Sequence, residues 1–170
     1  FMPSGSMSNQ IAVRIHCKPG DEFLCDSGCH IYNYEQAAFA QLSGISARTI
    51  EGEFGVLRPE QFQGTIRPEA DHMVRTRLVC LENTHNRCGG VVLPLDYMRQ
   101  VREVADAHKL LIHLDGARIF NAAAALGVSA RSLVEAADSV TFCLSKALCA
   151  PVGSVLCGSR AFIQKARRIR

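Results

Sequence analysis

Ser139-Val140-Thr141-Phe142-Cys143-Leu144-Ser145-Lys146-Ala147-Leu148-Cys149-Ala150-Pro151-Val152-Gly153-Ser154 is the stretch whose reading decides the fold. Its first six residues, rich in β-branched and apolar types, predict a buried strand, and Lys146 stands just past the strand's end. A second apolar run, Leu110-Leu111-Ile112-His113-Leu114-Asp115, ends on a carboxylate and continues into Gly116-Ala117-Arg118. A lysine there is positioned to attack an aldehyde and form a Schiff base. The carboxylate is positioned to pair with a pyridinium nitrogen. An Asp and a Lys at the carboxyl ends of two strands in an α/β chain thus point to a pyridoxal-phosphate (PLP) site.

Outward from these two strands, helical and extended patterns alternate. Helices are predicted over residues 7–17, 31–42, 58–66, 95–108, 118–126 and 129–137, with a last one after 158. Strands are predicted over 22–26, 46–51, 77–82, 110–115, 139–144 and 155–158. Residues 95–108 are amphipathic, with Met98, Val101, Val104 and Ala105 on one face. Ser43-Gly44 supplies a helix stop, and Pro59 suits the first turn of a short helix. Continuous apolar strands alternating with helices predict an α/β fold with a mostly parallel sheet flanked by helices. Such sheets bind ligands beyond the carboxyl ends of their strands, where Asp26, Glu82, Asp115 and Lys146 all fall.

Composition bounds the alternatives. The 170 residues are 48% hydrophobic and 21% charged with a net charge of +3, which suits one globular domain over 1–170. Basic residues gather in Lys165-Ala166-Arg167-Arg168-Ile169-Arg170, which reads as a solvated helix face. No aromatic-interleaved basic surface predicts nucleic-acid binding, and no run of 18 apolar residues predicts a membrane span. Most of the eight cysteines, among them Cys25, Cys80, Cys143 and Cys157, lie in apolar runs and read as buried free thiols. Cys25 and Cys29 lack a second pair with zinc spacing, so no metal is expected. A reducing cytoplasm, or a mitochondrial matrix, is the expected compartment.

The remaining polar motifs fit the same site. Ser4-Gly5-Ser6 precedes the first helix; alone it would be a plain N-cap, but beside Asp115 and Lys146 it reads as a phosphate cradle. Asp115 could instead cap the following helix. Arg118 offers a planar fork for a carboxylate, with a surface salt bridge as the alternative. Ala, Leu, Pro, Val and Gly around Lys146 argue against a solvated loop lysine, and the Ser145 hydroxyl is positioned to assist.

These segments resemble the L-threonine aldolase family, which belongs to the aspartate-aminotransferase-like PLP enzymes. The resemblance rests on His113 to Asn121 and on residues 139–154, with Pro3-Ser4-Gly5-Ser6-Met7-Ser8-Asn9, His30-Ile31-Tyr32-Asn33-Tyr34-Glu35 and Glu82-Asn83-Thr84-His85-Asn86 in the same order. It implies the large PLP-binding domain of a lyase cleaving L-threonine or L-allo-threonine to glycine and acetaldehyde, with an N-terminal segment and a small C-terminal domain outside these residues. By resemblance, His30 stacks on the cofactor ring, His85 joins it in the site, and either takes the β-hydroxyl proton. Lys146 is the Schiff-base residue. Asp115, Ser4, Gly5, Ser6, Glu82 and Ser145 contact the cofactor or the residues around it. Arg118 binds the substrate carboxylate or the cofactor's ring oxygen, His85 faces the amino-acid substrate, and Glu82 and Asn83 orient His85 or the ring. A homo-oligomer is implied. His16, His72, His108 and His113 are read as core or surface residues. The alternatives are another PLP β-eliminating lyase, an aminotransferase, or a non-catalytic fragment. Ala147, Ala37 and Ala38 depart from positions the family fills with glycine or other small residues, and alanine would be strained wherever φ is positive.

Overall fold

The computed structural model describes residues 1–170. Six strands form one sheet: β1 (Asp21–Asp26), β2 (Ser46–Ile50), β3 (Arg75–Glu82), β4 (Leu111–Asp115), β5 (Ser139–Cys143) and β6 (Ser154–Gly158). Their spatial order is β2-β1-β3-β4-β5-β6. The first five are mutually parallel, and β6 returns antiparallel along β5 to close one edge. The chain moves from β1 to β2 on one side and then crosses to β3 on the other, so the strand order reverses at β1/β3, where ligands settle in such sheets.

Eight helices cover the sheet: α1 (Gly5–His16), α2 (His30–Asn33), α3 (Ala38–Ser43), α4 (Pro59–Thr65), α5 (Leu95–Ala107), α6 (Ile119–Leu126), α7 (Ala130–Val134) and α8 (Arg160–Ile169). Side chains alternate across each strand, so one strand feeds two cores. Leu24, Val79, Leu81, Ile112, Leu114 and Val140 pack with Met98, Val101 and Leu133 of α5 and α7. Phe23, Cys25, Leu78 and Cys80 face the other way, toward Val13 of α1 and Phe39 of α3. Helix α8 packs Phe162 and Ala166 against Ile11 and Ala12 of α1 and Leu156 of β6. No helix is long and apolar enough to cross a membrane. All eight cysteines are free; Cys25, Cys80 and Cys143 are buried as expected, Cys157 is partly buried and Cys149 is exposed.

One predicted element divides. The helix expected over 31–42 is two short helices, because Gln36 (φ 55°) and Ala37 (φ 52°) adopt the left-handed region. The break turns Glu35 inward, where it is buried and meets three side-chain donors. Satisfying a buried carboxylate outweighs the 3.6-residue periodicity of that stretch. Of the three alanines that depart from the family pattern, only Ala37 has positive φ.

Candidate active site

At the carboxyl end of the sheet lies a cavity of about 260 Å³ whose lining includes Ser4, Gly5, Ser6, Asn9, His30, Asp115, Ser145, Lys146 and Gly153. Seven residues singled out from the sequence therefore border one space, although they come from α1, α2, β4 and the turn after β5. A larger cavity of about 550 Å³ sits at the opposite end of the sheet, beside the start of β3, and collects none of them.

Each wall has a local cause. Helix α1 starts at the cavity, and Ser4 caps it by accepting from the Met7 N–H at 3.2 Å. The plain N-cap role is thus real, yet it uses only an acceptor lone pair of Ser4 and the Met7 N–H; the Ser4 O–H and the Gly5 and Ser6 N–H groups stay available to an anion. Gly5 lies close to the end of β5: a Cβ there would come within 3.1 Å of Cys143 Sγ. Lys146 is partly buried in the turn that follows β5, and that turn is tied down where Leu144 N–H donates to Gly153 O at 2.9 Å.

Asp115 ends β4, in register with Glu82 at the end of β3. Its Oδ1 accepts from the Ala117 N–H (3.1 Å), so the expected local capping contact exists, and its Oδ2 accepts from Asn9 Nδ2 (2.8 Å). The same Asn9 amide donates to Glu35 Oε1 (2.8 Å), which also meets His30 Nδ1 (3.1 Å). Hydrogen bonding to Glu35 raises the His30 pKa above the usual imidazole value against the opposing effect of burial. Asn9 and Glu35 were not singled out as site residues from the sequence. Glu35 closes the quoted 30–35 motif and Asn9 closes the 3–9 motif, which was the available signal.

Glu82 connects the cavity to its neighbour. It accepts from the His30 backbone N–H at 2.7 Å and from the Asn86 backbone N–H at 2.9 Å. Burial, and then the nearby Asp115 charge, push its carboxyl above the usual range. Asn86 Oδ1 in turn accepts from Arg118 Nη1 at 3.0 Å, and Arg118 lines an adjoining depression with Thr84, Gly89 and Asn121 rather than the cavity itself. Asn83 points elsewhere: its amide pairs with both backbone groups of Leu93. It therefore does not orient His85 or a ring in the cavity.

His85 lines neither space. It is buried, and its Nε2 meets Asp26 Oδ1 at 3.0 Å, while Nδ1 has no protein partner. Burial opposes its charge, but the Asp26 hydrogen bond and the charges of Glu82 and Asp26 carry its pKa upward. Asp26 also accepts from the Gly28 and Gly52 N–H groups, and these bonds with His85 hold it below the usual carboxylate range despite burial. Sequence reading put Asp26 at a strand end without giving it this role. His113, read as structural, is buried, and His16 is half-buried.

The assembled cavity therefore offers a helix N-terminus for an anion, a primary amine, and a fixed carboxylate with a histidine ring beside it. The chain is 45% identical to low-specificity L-threonine aldolase 1 of Arabidopsis thaliana, with all of the chain and 49% of that protein covered. It is 39% identical to the low specificity L-threonine aldolase of Escherichia coli K12, covering all of the chain and 50% of that protein. The chain thus spans about half the length of these curated relatives. A solved Leishmania major threonine aldolase superposes with a TM-score of 0.86 over 99% of this chain and 49% of its own, at 21% identity. An aspartate aminotransferase of Thermus thermophilus shares the fold at a TM-score of 0.75. The family model described as Beta-eliminating lyase matches residues 1–170, and the chain belongs to that family.

Proposed function

We propose that this chain is the PLP-binding large domain, in part, of a threonine aldolase acting on L-threonine or L-allo-threonine. The observation that carries the reading is that the Lys146 amine, the Asp115 carboxylate, His30 and the start of α1 border one cavity. That donor set fits the cofactor: an anion cradle for its phosphate, a carboxylate for its pyridinium nitrogen and an amine for its aldehyde. When bound, PLP supplies the electron sink that accepts the bonding pair of the substrate's Cα–Cβ bond.

The protein's own residues hold and orient. Ser4, Gly5, Ser6 and Ser145 are the phosphate contacts in this reading, and Lys146 is the covalent anchor. Asp115, steadied by Asn9 and the Ala117 N–H, would be the carboxylate that pairs with the ring nitrogen. His30, held by Glu35, covers the ring. Arg118, which borders the neighbouring depression and donates to Asn86, is the substrate-carboxylate residue in this reading. A proton must leave the substrate β-hydroxyl. His30 borders the cavity, whereas His85 could act only through Nδ1, because Asp26 occupies Nε2. Val152, exposed on the cavity lining, and the exposed Tyr34 ring, 5.4 Å from that of His30, support burial of this rim against a second copy in a homo-oligomer. Eight free thiols favour a reducing compartment, cytoplasmic or mitochondrial.

Titration of the purified protein with PLP, followed at the visible imine band beside Lys146→Ala, tests the reading. A band in the parent that is absent in the variant supports it; no band in a folded parent sinks it. Aldehyde release from threonine, allo-threonine and serine then separates an aldolase from another β-eliminating lyase or an aminotransferase. A bound cofactor without aldehyde release would fit the half-length coverage, with turnover residing in the longer protein.

A further inference from the structure

Behind Asp115 runs a line of polar groups, buried except for the half-buried His16 at its end, that the reaction itself does not use. His113 lies two residues before Asp115 on β4, so both project from the same face of the sheet toward α1. Asn9 on α1 touches both: its Nδ2 donates to Asp115 Oδ2 at 2.8 Å, and its Oδ1 lies 3.0 Å from His113 Nε2. His113 Nδ1 lies 2.8 Å from Ser139 Oγ, and Ser139 Oγ lies 2.7 Å from His16 Nε2. Asn9, His113 and Ser139 are all buried, with His113 fully enclosed.

The chemistry fixes the direction of every bond. The Asn9 amide must turn its nitrogen to the two carboxylates, because its oxygen would repel both Asp115 and Glu35. Its oxygen then requires a donor, which only a protonated His113 Nε2 supplies. A neutral His113 leaves Nδ1 bare, so Ser139 must donate to it and can accept from His16 Nε2–H. Neutrality is what burial imposes: it lowers the His113 pKa to about 3 and the His16 pKa to about 4. With both rings neutral, any other arrangement leaves a buried polar atom unpaired, which costs about 1–3 kcal/mol.

We propose that His113, backed by Ser139 and His16, is a positioning residue that locks the Asn9 amide so that both its N–H groups face Asp115 and Glu35. A single side chain thereby steadies the carboxylate under the ring nitrogen and, through Glu35, the histidine beside it. The proposal rests on the reading above for what the two carboxylates serve, although the hydrogen-bond line stands without it.

Ring-¹⁵N NMR of the histidines, with side-chain amide spectra of Asn9 in protein free of cofactor, tests it directly. The expected parent spectrum has His113 protonated at Nε2 and bare at Nδ1, and two shifted, slowly exchanging Asn9 amide protons. In His113→Leu those protons should lose protection. In His113→Gln, whose amide nitrogen can replace Nε2, they should keep it. The PLP dissociation constant should rise about tenfold in His113→Leu, the cost of leaving the buried Asn9 oxygen without its donor, and recover in His113→Gln. A parent ring protonated at Nδ1, or Asn9 protection unchanged in a folded His113→Leu, overturns the proposal. Should His113→Leu not fold, the parent tautomer remains decisive. Ser139→Ala then adds a second reading: mixed His113 tautomers support the line, and a ring still wholly protonated at Nε2 removes Ser139 and His16 from it. No PLP band with the expected tautomer sinks the functional reading alone; a PLP band with the wrong tautomer sinks this inference alone.

Discussion

At the residue scale, the cavity is controlled by side chains that mostly do not border it. Glu35 is the largest cause of the raised His30 pKa, so Glu35→Gln should bring the His30 titration, followed by NMR, back down toward the usual imidazole range. The part of folding stability linked to His30 is present below its unfolded pKa and is lost as pH rises through the folded value. The variant should therefore weaken the protein less as pH rises through that window. His16 and His113 act with the opposite sign. Their folded values of about 4 and about 3 lie below the ordinary 6.5, so the folded state binds fewer protons than the unfolded one between those limits. Stability should fall as pH drops from about 6.5 toward 3, with a slope of up to about 1.4 kcal/mol per pH unit for each histidine. Urea unfolding across this range should show a shallower acid limb for His113→Gln than for the parent. Equal slopes would mean that His113 is not held neutral. The sequence revealed Lys146, Asp115 and His30 because each stands in a motif. It did not reveal Asn9 as a hub: Asn9 closes the 3–9 motif, but nothing local in the second turn of a helix says which groups its amide will meet.

At the element scale, strand ends and turns decide what converges. Parallel strands that end together bring Glu82 beside Asp115 whatever the sequence between them, and the alternating pattern already implied this. The break between α2 and α3 was not legible, since residues 31–42 carry helical spacing and only the burial of Glu35 interrupts it. Ala37 sits there at φ 52° and ψ 33°. Left-handed alanine is disfavoured by about 1–2 kcal/mol, while glycine's extra freedom in the unfolded chain offsets about 0.4–1. Ala37→Gly should therefore stabilise the protein by up to about 1.6 kcal/mol, measurable by urea denaturation. A loss of stability would mean that the turn relaxes around alanine. Gly55 presents the reverse case. With φ at 80° and an added Cβ falling 2.4 Å from the His85 ring, Gly55→Ala should cost about 1–3 kcal/mol and displace His85 from Asp26. A lowered His85 pKa in NMR titration would accompany that displacement, and an unchanged titration would refute it.

At the scale of the whole molecule, one sheet sustains two apolar faces, and the larger is centred on the α5 side. Leu114 is fully buried there, one residue before Asp115, so Leu114→Ala should destabilise by about 2–5 kcal/mol and weaken PLP binding through the strand end it anchors. Thermal unfolding and the PLP titration check the two effects separately; a destabilised protein with unaltered PLP affinity would uncouple the core from the site. The sequence by itself determined the alternation of strand and helix, the mostly parallel sheet and the strand-end positions of Asp115 and Lys146, because hydrophobic periodicity and turn residues are local signals. It could not determine that β6 runs antiparallel, that Arg118 opens onto an adjoining depression, or that His85 is committed to Asp26 outside the cavity. Those outcomes depend on which strands become neighbours and on which donors reach a buried carboxylate. Such pairings join residues as far apart as Asn9 and Asp115, and they exist only once packing has excluded water from the space between them.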